Sequence, residues 1–364
     1  MGAIHALGGT CQFSDDQCVI RGCGGDMALP TSPIDAKQSG IVYRYLTALM
    51  ALQTKRSVKV MGDVRRPITP LIDAINGLGA HATFDQLVTV KGPIEGGSIV
   101  IDGKDSQPVS ALLLACALSK TGPFEILVIN GGERPWIDLS LYWLKKCALP
   151  IEEPTPWHFF TPGGGHIAPF ETSIPADFSS AAFAIGAALS TKSSLTVEGL
   201  DFDDVQGDQK AIDALIRLGA RISKKNKQLR IDGTAPISGG VIDVAPFVDA
   251  LPLLTTLGCF ATSPLRLIGG AICRHKESDR IKAITCELKK MGAAITEHPD
   301  GLTVTPSSLH GANVEGQNDH RIAMSLAVAA MGATGPTDIS GWACTRKTYP
   351  HFREDFAAIG AKFE

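Results

Sequence analysis

The sequence predicts an α/β protein of two domains, built from repeated βαβαββ units with helices inside and sheets outside. Two interleaved series of segments support this prediction. In one, a polar start leads into an apolar helix, and in the other a helix ends at Leu-Gly or a similar pair before two short strands. Members of the first series begin roughly 70 residues apart, which indicates an internal repeat.

The first series consists of five apolar runs with polar residues at or near their starts. Ser, Asp and Asn side chains accept hydrogen bonds from the free N–H groups of a helix, so they predict helix starts. The five are Ser39-Gly40 before 45–52, Ser106-Gln107 before 111–118, Ser179-Ser180 before 181–189, Val248-Asp249 before 250–260, and Asn318-Asp319 before 322–330.

The second series consists of six helix ends, each followed by a predicted strand pair where the chain continues. A glycine just past a helix is a C-cap signal, and Asp300-Gly301 between alternating apolar residues predicts a hairpin. The six ends are Leu7-Gly8, Leu78-Gly79, Cys147-Ala148, Leu218-Gly219, Met291-Gly292 and Ile359-Gly360.

The unequal lengths of the two series predict a missing segment. A sixth helix of the first series would precede Met1, so roughly 60 residues of the first repeat are expected to be absent. A Pro- and Gly-rich stretch between Pro150 and Ala176 separates the third unit from the fourth. We therefore expect a first domain of 1–175, whose first unit is truncated, and a second of 176–364, with helix starts converging on an interdomain cleft.

Composition excludes several classes of protein. A chain of 364 residues with 44 % apolar content can bury a large core, and its formal charge of −3 argues against nucleic acid or anionic membrane as partners. No apolar run is long enough for a membrane span, and no signal peptide is recognisable. Nine scattered cysteines without a Cys-x-x-Cys pattern predict reduced, mostly buried thiols and a cytoplasmic location.

Several cations lie near predicted helix starts, where free N–H groups attract anions. Arg321 follows such a start, although most capped helices bind nothing. Arg44 is expected to face either the N-terminal side of its helix or solvent. Arg65 and Arg66 form either a carboxylate clamp or a solvated pair. Pro67 is expected in the first turn of the helix through residue 78, a pattern that Arg134-Pro135 repeats.

Two acidic features of the second half each allow two interpretations. Asp249, at the start of an apolar helix, is either a catalytic carboxylate or simply an N-cap. The charge run from Arg274 to Arg280 is either a solvated surface or part of a site.

Three ordered motifs resemble those of the 5-enolpyruvylshikimate-3-phosphate synthase family. They are Arg274-His-Lys-Glu-Ser-Asp-Arg280, Asn318-Asp-His-Arg-Ile-Ala-Met324 and Cys344-Thr-Arg-Lys-Thr-Tyr-Pro350. Gly62-Asp-Val-Arg-Arg-Pro67, Asp177-Phe-Ser-Ser-Ala-Ala182 and Gln206-Gly-Asp208 extend the resemblance along the chain.

The resemblance implies a two-domain enolpyruvyl-transferase-like fold and a monomer that needs no metal or organic cofactor. The implied reaction transfers the enolpyruvyl group of phosphoenolpyruvate to the 5-hydroxyl of shikimate 3-phosphate and releases phosphate through a tetrahedral intermediate. Both implied substrates are anions, which suits cations spread over a near-neutral chain.

The resemblance also assigns expected roles to individual residues. Asp249 is expected to be the general base and Glu277 the general acid. Phosphoenolpyruvate is expected to contact Arg66, Gln107, Arg280, Arg321, Lys347 and Gly40. Shikimate 3-phosphate is expected to contact Ser106, Gln107, Trp136, Asp249 and Lys276.

This chain departs from the commonest family pattern at several places. Gln38-Ser39-Gly40-Ile41 replaces Asn-Ala-Gly-Thr, Asp105 replaces a serine, and Glu133 stands where a serine usually meets the substrate phosphate. The family's Pro-x-x-Lys-Ser motif would belong to the absent segment. Two alternatives therefore stay open: an inactive remnant that only binds substrate, and the sister transferase that acts on UDP-N-acetylglucosamine.

Overall fold

The computed structural model describes residues 1–14, 17–53, 56–62 and 66–364. The described chain divides into two compact units, Met1–Phe170 and Glu171–Glu364. Arg65, one member of the predicted arginine pair, lies outside the described residues.

Eleven α-helices are found in the described residues, and two of the predicted polar residues, Ser39 and Asp319, cap helix starts. The side chains of Ser39, Asp105, Asp177, Asp279 and Asp319 each accept a hydrogen bond from a backbone N–H of the helix that follows. The helices are α1 (Gly2–Ala6), α2 (Gly40–Met50), α3 (Thr69–Gly77), α4 (Ser106–Leu118), α5 (Arg134–Lys146), α6 (Phe178–Ser190), α7 (Gln209–Arg217), α8 (Leu251–Cys259), α9 (Arg280–Lys290), α10 (His320–Gly332) and α11 (Phe352–Ala358).

The strands alternate with these helices along the chain. They are β1 (Thr10–Phe13), β2 (Cys18–Arg21), β3 (Ile34–Asp35), β4 (Val58–Met61), β5 (His81–Asp85), β6 (Leu87–Lys91), β7 (Gly97–Asp102), β8 (Phe124–Ile129), β9 (Glu152–Thr155), β10 (His158–Thr161), β11 (Ser194–Glu198), β12 (Arg221–Lys225), β13 (Gln228–Asp232), β14 (Gly240–Asp243), β15 (Leu265–Ile268), β16 (Ala294–His298), β17 (Gly301–Thr305), β18 (Asn313–Glu315) and β19 (Asp338–Ser340).

Three four-stranded sheets share one topology. Their orders are β3-β4-β6-β5, β7-β8-β10-β9 and β14-β15-β17-β16. In each, the first two strands are parallel, and the last two form an antiparallel hairpin. Parallel neighbours need a crossover connection, and here a helix supplies it. The predicted α/β class and the repeated βαβ-like sheets are therefore confirmed.

The remaining sheets are smaller. Strands β11, β13 and β12 form an antiparallel sheet, β18 pairs with β19 in parallel, and β1 pairs with β2 as a hairpin. The predicted Asp300-Gly301 turn is confirmed, since His298 pairs with Gly301 where β16 meets β17. Each of these short sheets ends at or near a helix.

The apolar helices supply the core of each unit. In α10, Ile322, Met324, Leu326 and Val328 are completely buried, and α4 and α8 are buried along most of their lengths. A helix that is apolar all round must be covered on all sides, which explains why these runs show little amphipathic pattern. None of the helices in the described residues has the length and apolar character that crossing a membrane requires.

Three predictions about local structure are wrong. Helix α3 begins after Ile68 with Pro70 in its first turn, so Pro67 lies before the helix. Asp249 is not the N-cap of α8, because it lies in a 3₁₀ segment, Ala245–Ala250, and Ala250 occupies that position. Of the nine cysteines only Cys116, Cys259 and Cys273 are buried, since the others lie on partly or fully exposed positions.

Candidate active site

Arg44 forms hydrogen bonds with residues at the starts of α2 and α4 in the first unit. Its side chain is fully buried, and its Nη1 atom donates to Gln107 Oε1 at 3.0 Å and to the Gly40 carbonyl at 3.2 Å. Its Nη2 atom donates to the carbonyls of Arg66 and Pro67, each at 3.0 Å. Arg44 therefore faces the N-terminal side of α2, and the alternative that it faces solvent is wrong.

Gly40 leaves room for this arrangement. A Cβ atom at Gly40 would lie 2.9 Å from Gln107 Oε1 and 3.0 Å from Arg44 Nη1. Both distances are shorter than ordinary van der Waals contacts, so a side chain at this position would displace Gln107 or Arg44. The absence of a side chain at Gly40 therefore sets the position of the Gln107 amide.

Asp105 lies beside two guanidinium groups. Its Oδ1 atom accepts from the Gln107 backbone N–H at 3.0 Å and lies 3.6 Å from Arg66 Nη1. Its Oδ2 atom lies 3.7 Å from Arg44 Nη2. The sequence left open which cation compensates this carboxylate, and the structure supplies Arg44 and Arg66.

Glu133 is buried against the start of α4. Its Oε2 atom accepts from the backbone N–H of Ser106 at 3.3 Å and from its hydroxyl at 3.4 Å. Two cations close to it in the sequence pair with other acids: Arg134 with Glu153 and Asp138, and Lys104 with Asp102. Trp136 is half-buried in the first turn of α5, directly after this group.

In the second unit, the guanidinium of Arg280 holds three carboxylates. Its Nε atom donates to Asp319 Oδ2 at 2.8 Å, Nη1 to Asp249 Oδ1 at 2.6 Å, and Nη2 to Glu277 Oε2 at 2.8 Å. Only 1 % of the Arg280 side chain is exposed, and Lys276 is also buried. For these two residues the interpretation of the charge run as a solvated surface is wrong.

Arg321 provides the second contact of Asp249. Its Nη2 atom donates to Asp249 Oδ2 at 3.2 Å and to the Ser179 hydroxyl at 2.9 Å. The Asp319 carboxylate caps α10 by accepting from the Arg321 backbone N–H at 2.9 Å. Helices α6, α9 and α10 and the 3₁₀ segment before α8 therefore contribute to one cluster of charged and polar groups.

Lys347 approaches the other side of Glu277. The lysine ends a 3₁₀ segment, Trp342–Lys347, and its Nζ atom lies 3.6 Å from Glu277 Oε1. Both side chains are partly exposed, at 32 % and 22 %. Glu277 is thus placed between a buried guanidinium and a lysine that solutes can reach.

The charges and the burial in this cluster favour an ionised Asp319 and a neutral His320. Burial alone would raise the pKa of Asp319, but the charge of Arg280 and its hydrogen bonds lower that pKa below its ordinary value. Burial lowers the pKa of His320 to about 4, and the charges of Arg321 and Arg280 act in the same direction. His320 is therefore neutral at physiological pH.

Asp208 also belongs to this region, although no role for it was predicted from the sequence. It is 2 % exposed and lines a small recess together with Ser179, Asp249 and Arg321. In the sequence it resembles an ordinary N-cap before α7. The one available signal was its position in Gln206-Gly-Asp208, a motif that carried the family resemblance without an assigned chemistry.

The fold and the charge clusters define a class of enzyme. The second unit holds two carboxyl groups, Asp249 and Glu277, at the edge of a cluster of buried and half-exposed cations. Cations so placed suit an anionic substrate, and paired carboxyls suit proton transfer.

Comparisons with known proteins identify the family. The family model described as EPSP synthase (3-phosphoshikimate 1-carboxyvinyltransferase) matches residues 1–356. The chain is 41 % identical to the 3-phosphoshikimate 1-carboxyvinyltransferase of Chlamydia felis, over 100 % of this chain and 83 % of that protein. It is 43 % identical to that of Chlamydia caviae, over 91 % of this chain and 76 % of that protein.

Two less similar proteins indicate the same family and the same fold. The protein of the same name from Ruminiclostridium cellulolyticum is 37 % identical over 99 % of this chain and 86 % of its own length. A solved structure of EPSP synthase from Acinetobacter baumannii shares the fold, with a TM-score of 0.82 and 24 % identity over 100 % of this chain and 87 % of that one. The chain therefore belongs to the EPSP synthase family, whose enzymes act in the shikimate pathway of aromatic amino acid biosynthesis. The family predicted from the motifs is confirmed.

Proposed function

We propose that this chain transfers the enolpyruvyl group of phosphoenolpyruvate to the 5-hydroxyl of shikimate 3-phosphate, with Asp249 as general base and Glu277 as general acid. The observation that carries the proposal is the shared guanidinium of Arg280, which donates to Asp249 at 2.6 Å and to Glu277 at 2.8 Å. One rigid planar group thereby fixes the separation of two carboxyl groups, one that accepts a proton and one that donates a proton in the proposed reaction.

Asp249 removes the hydroxyl proton once substrate is bound. Before binding, Arg280 and Arg321 both form ion pairs with its carboxylate. A substrate phosphate or carboxylate would bind the same two guanidinium groups. The ion pairs of Asp249 would then weaken, which makes its carboxylate available to the hydroxyl proton.

Glu277 delivers a proton to the methylene carbon of phosphoenolpyruvate as the hydroxyl oxygen bonds to the adjacent carbon. This gives a tetrahedral intermediate with a methyl group. Loss of a proton from that methyl group and departure of phosphate then regenerate the enolpyruvyl double bond. Lys347, 3.6 Å from Glu277, is placed to offset negative charge on the leaving phosphate.

The remaining residues position the two anions. For phosphoenolpyruvate we propose contacts from Arg280, Arg321 and Lys347 in the second unit and from Arg66, Gln107 and Gly40 in the first. For shikimate 3-phosphate we propose Ser106, Gln107, Trp136, Asp249 and Lys276. The hydrogen bond from Arg44 to the Gln107 oxygen supports this, because it turns the Gln107 NH₂ group away from Arg44 and leaves it to donate.

We also propose a two-domain organisation, 1–175 and 176–364, assembled from βαβαββ units with their apolar helices inside. Two compact units and three four-stranded sheets of one topology support it.

The test is phosphate release from phosphoenolpyruvate, measured with and without shikimate 3-phosphate. We expect release only with both substrates, and a loss of about 10²- to 10⁴-fold in kcat for Asp249→Asn. Asp201→Asn, on the surface beside Lys227, is the matched control and should keep full turnover.

Three outcomes would contradict the proposal. Release without shikimate 3-phosphate would indicate a phosphatase. Binding of shikimate 3-phosphate without any release would indicate the inactive remnant. Turnover with UDP-N-acetylglucosamine in place of shikimate 3-phosphate would indicate the sister transferase.

A further inference from the structure

Asp208 is a buried acid whose position is not explained by capping. It immediately precedes α7, but its side chain accepts no hydrogen bond from the helix. Only 2 % of the residue is exposed, and within the described ranges neither carboxyl oxygen has a hydrogen-bond partner. Such a group costs free energy when it is charged, so its presence requires another reason.

The charged groups around Asp208 come from four other elements. Asp249 lies in the 3₁₀ segment before α8, Asp177 precedes α6, Lys276 precedes α9, and Arg321 lies in α10. On α7 itself Lys210 and Asp213 are further along the helix. Two acids and two cations thus influence Asp208, and Asp249 and Arg321 line the same recess.

The guanidinium of Arg321 is not fully used by its hydrogen-bond partners in the described residues. Its Nη2 atom is used by Asp249 and Ser179, and its Nη1 atom by the Ser179 carbonyl. Its Nε atom is buried and has no hydrogen-bond partner in the part of the chain that the structure describes. An ionised Asp208 would add a second negative charge beside Asp249 and act on the same guanidinium.

The environment disfavours that ionisation at low pH. Burial raises the pKa of Asp208 to about 7, and the negative charge of Asp249 acts in the same direction. Arg321 opposes the rise, Asp177 adds to it and Lys276 opposes it. The charge of Asp208 therefore changes near neutral pH, in a recess that Asp249 and Arg321 also line.

We propose that Asp208 is a positioning residue that holds one proton beside Asp249, so that Arg321 stays available to Asp249 and to an anionic substrate. The inference rests on the proposed role of Asp249 and Arg321. When Asp208 loses its proton, a second negative charge enters the recess. Arg321 then binds a substrate anion more weakly. The pH at which this binding weakens is set by the loss of the proton from Asp208.

The first test compares the pH dependence of KM for phosphoenolpyruvate in the wild type and in Asp208→Asn. The amide has the shape of the carboxyl and stays neutral at every pH. Between about pH 6 and pH 8 we expect the wild-type KM to rise about tenfold more than that of the variant, the effect of one charge roughly 10 Å away at an effective dielectric constant near 20. Asp213→Asn, partly exposed on the same helix, should follow the wild type.

A second test needs no turnover. Infrared difference spectra of the wild type should show a protonated carboxyl band that disappears with a midpoint near pH 7, and Asp208→Asn should lack it. Because the folded pKa lies above the ordinary 3.8, folded Asp208 binds a proton that the unfolded chain has lost between those values. Its contribution to stability therefore falls as pH rises from about 4 to 7.

This pH dependence of stability can be measured directly. Asp208→Asn should gain thermal stability relative to the wild type between about pH 5 and pH 8. Identical pH profiles of KM, or a carboxyl band that persists in Asp208→Asn, would overturn the inference. If the chain shows no transferase turnover, the proposed function fails, but the band and the stability shift still decide whether Asp208 holds the proton.

Discussion

The Nε atom of Arg280 donates a hydrogen bond to Oδ2 of Asp319 across 2.8 Å, although both side chains are almost fully excluded from solvent. The same Asp319 caps α10 through the backbone N–H of Arg321. One buried carboxylate therefore orients the side chain of Arg280 and the helix start that carries Arg321. Both guanidinium groups in turn contact Asp249, so the position of the proposed base depends on Asp319.

Replacing Arg280 should destabilise the chain strongly. Arg280→Gln leaves Asp319 buried without its cation, which typically costs about 3–5 kcal/mol. We expect a loss of that size in the free energy of unfolding, measured by urea denaturation. The double variant Arg280→Gln/Asp319→Asn should recover part of it, because the orphaned charge is removed. Arg274→Gln, a partly exposed arginine, is the control, and an equal loss there would contradict the prediction.

Glu277→Gln should abolish proton delivery while leaving the fold intact, since the side chain is 22 % exposed and the amide keeps its shape. We expect kcat to fall about 10²- to 10⁴-fold with a smaller change in KM. In deuterated water the wild type should incorporate deuterium into the methylene group of phosphoenolpyruvate in the presence of shikimate 3-phosphate, and the variant should not. Glu297→Gln is the matched control, and retained incorporation in Glu277→Gln would remove its role as acid.

Gly40→Ala should weaken phosphoenolpyruvate binding with little effect on stability. The added methyl group meets Gln107 Oε1 at 2.9 Å and Arg44 Nη1 at 3.0 Å, so one of these side chains must shift. Loss of one well-aligned charge-assisted contact corresponds to about 1.5–3 kcal/mol, or roughly a ten- to hundredfold rise in KM. Gly22→Ala, where the added methyl group meets nothing within 4 Å, should bind normally. An unchanged KM in Gly40→Ala would show that Gln107 is not needed.

His320 should make the chain sensitive to acid. Its pKa is lowered to about 4 in the folded chain, against an ordinary value of 6.5, because burial and two arginines disfavour its charged form. The stability that depends on neutral His320 is present above pH 6.5 and is lost as pH falls towards 4, by up to about 3 kcal/mol. His320→Gln should lose less unfolding free energy than the wild type over this range. His351→Gln, on an exposed histidine, should behave like the wild type.

Several local features of this protein follow from its amino-acid sequence alone. Polar caps at Ser39 and Asp319, the Asp300-Gly301 hairpin and the repeated helix ends were predictable, because each depends on hydrogen bonds between residues a few positions apart. The motifs around Arg280 and Arg321 also identified the family. Asp249 was placed wrongly as a possible cap, since its local position did not reveal that two arginines bind it.

The pairing of the charged residues depends on the folded chain. Arg280 reaches Asp319 across 39 positions of the chain, and Arg321 reaches Ser179 across 142. The same holds for Arg44, which turns inward to Gln107 63 positions away, and for Asp208, whose neighbours come from four other elements. The free energy of a buried charge depends on its partners and its distance from water, and neither is a property of nearby sequence.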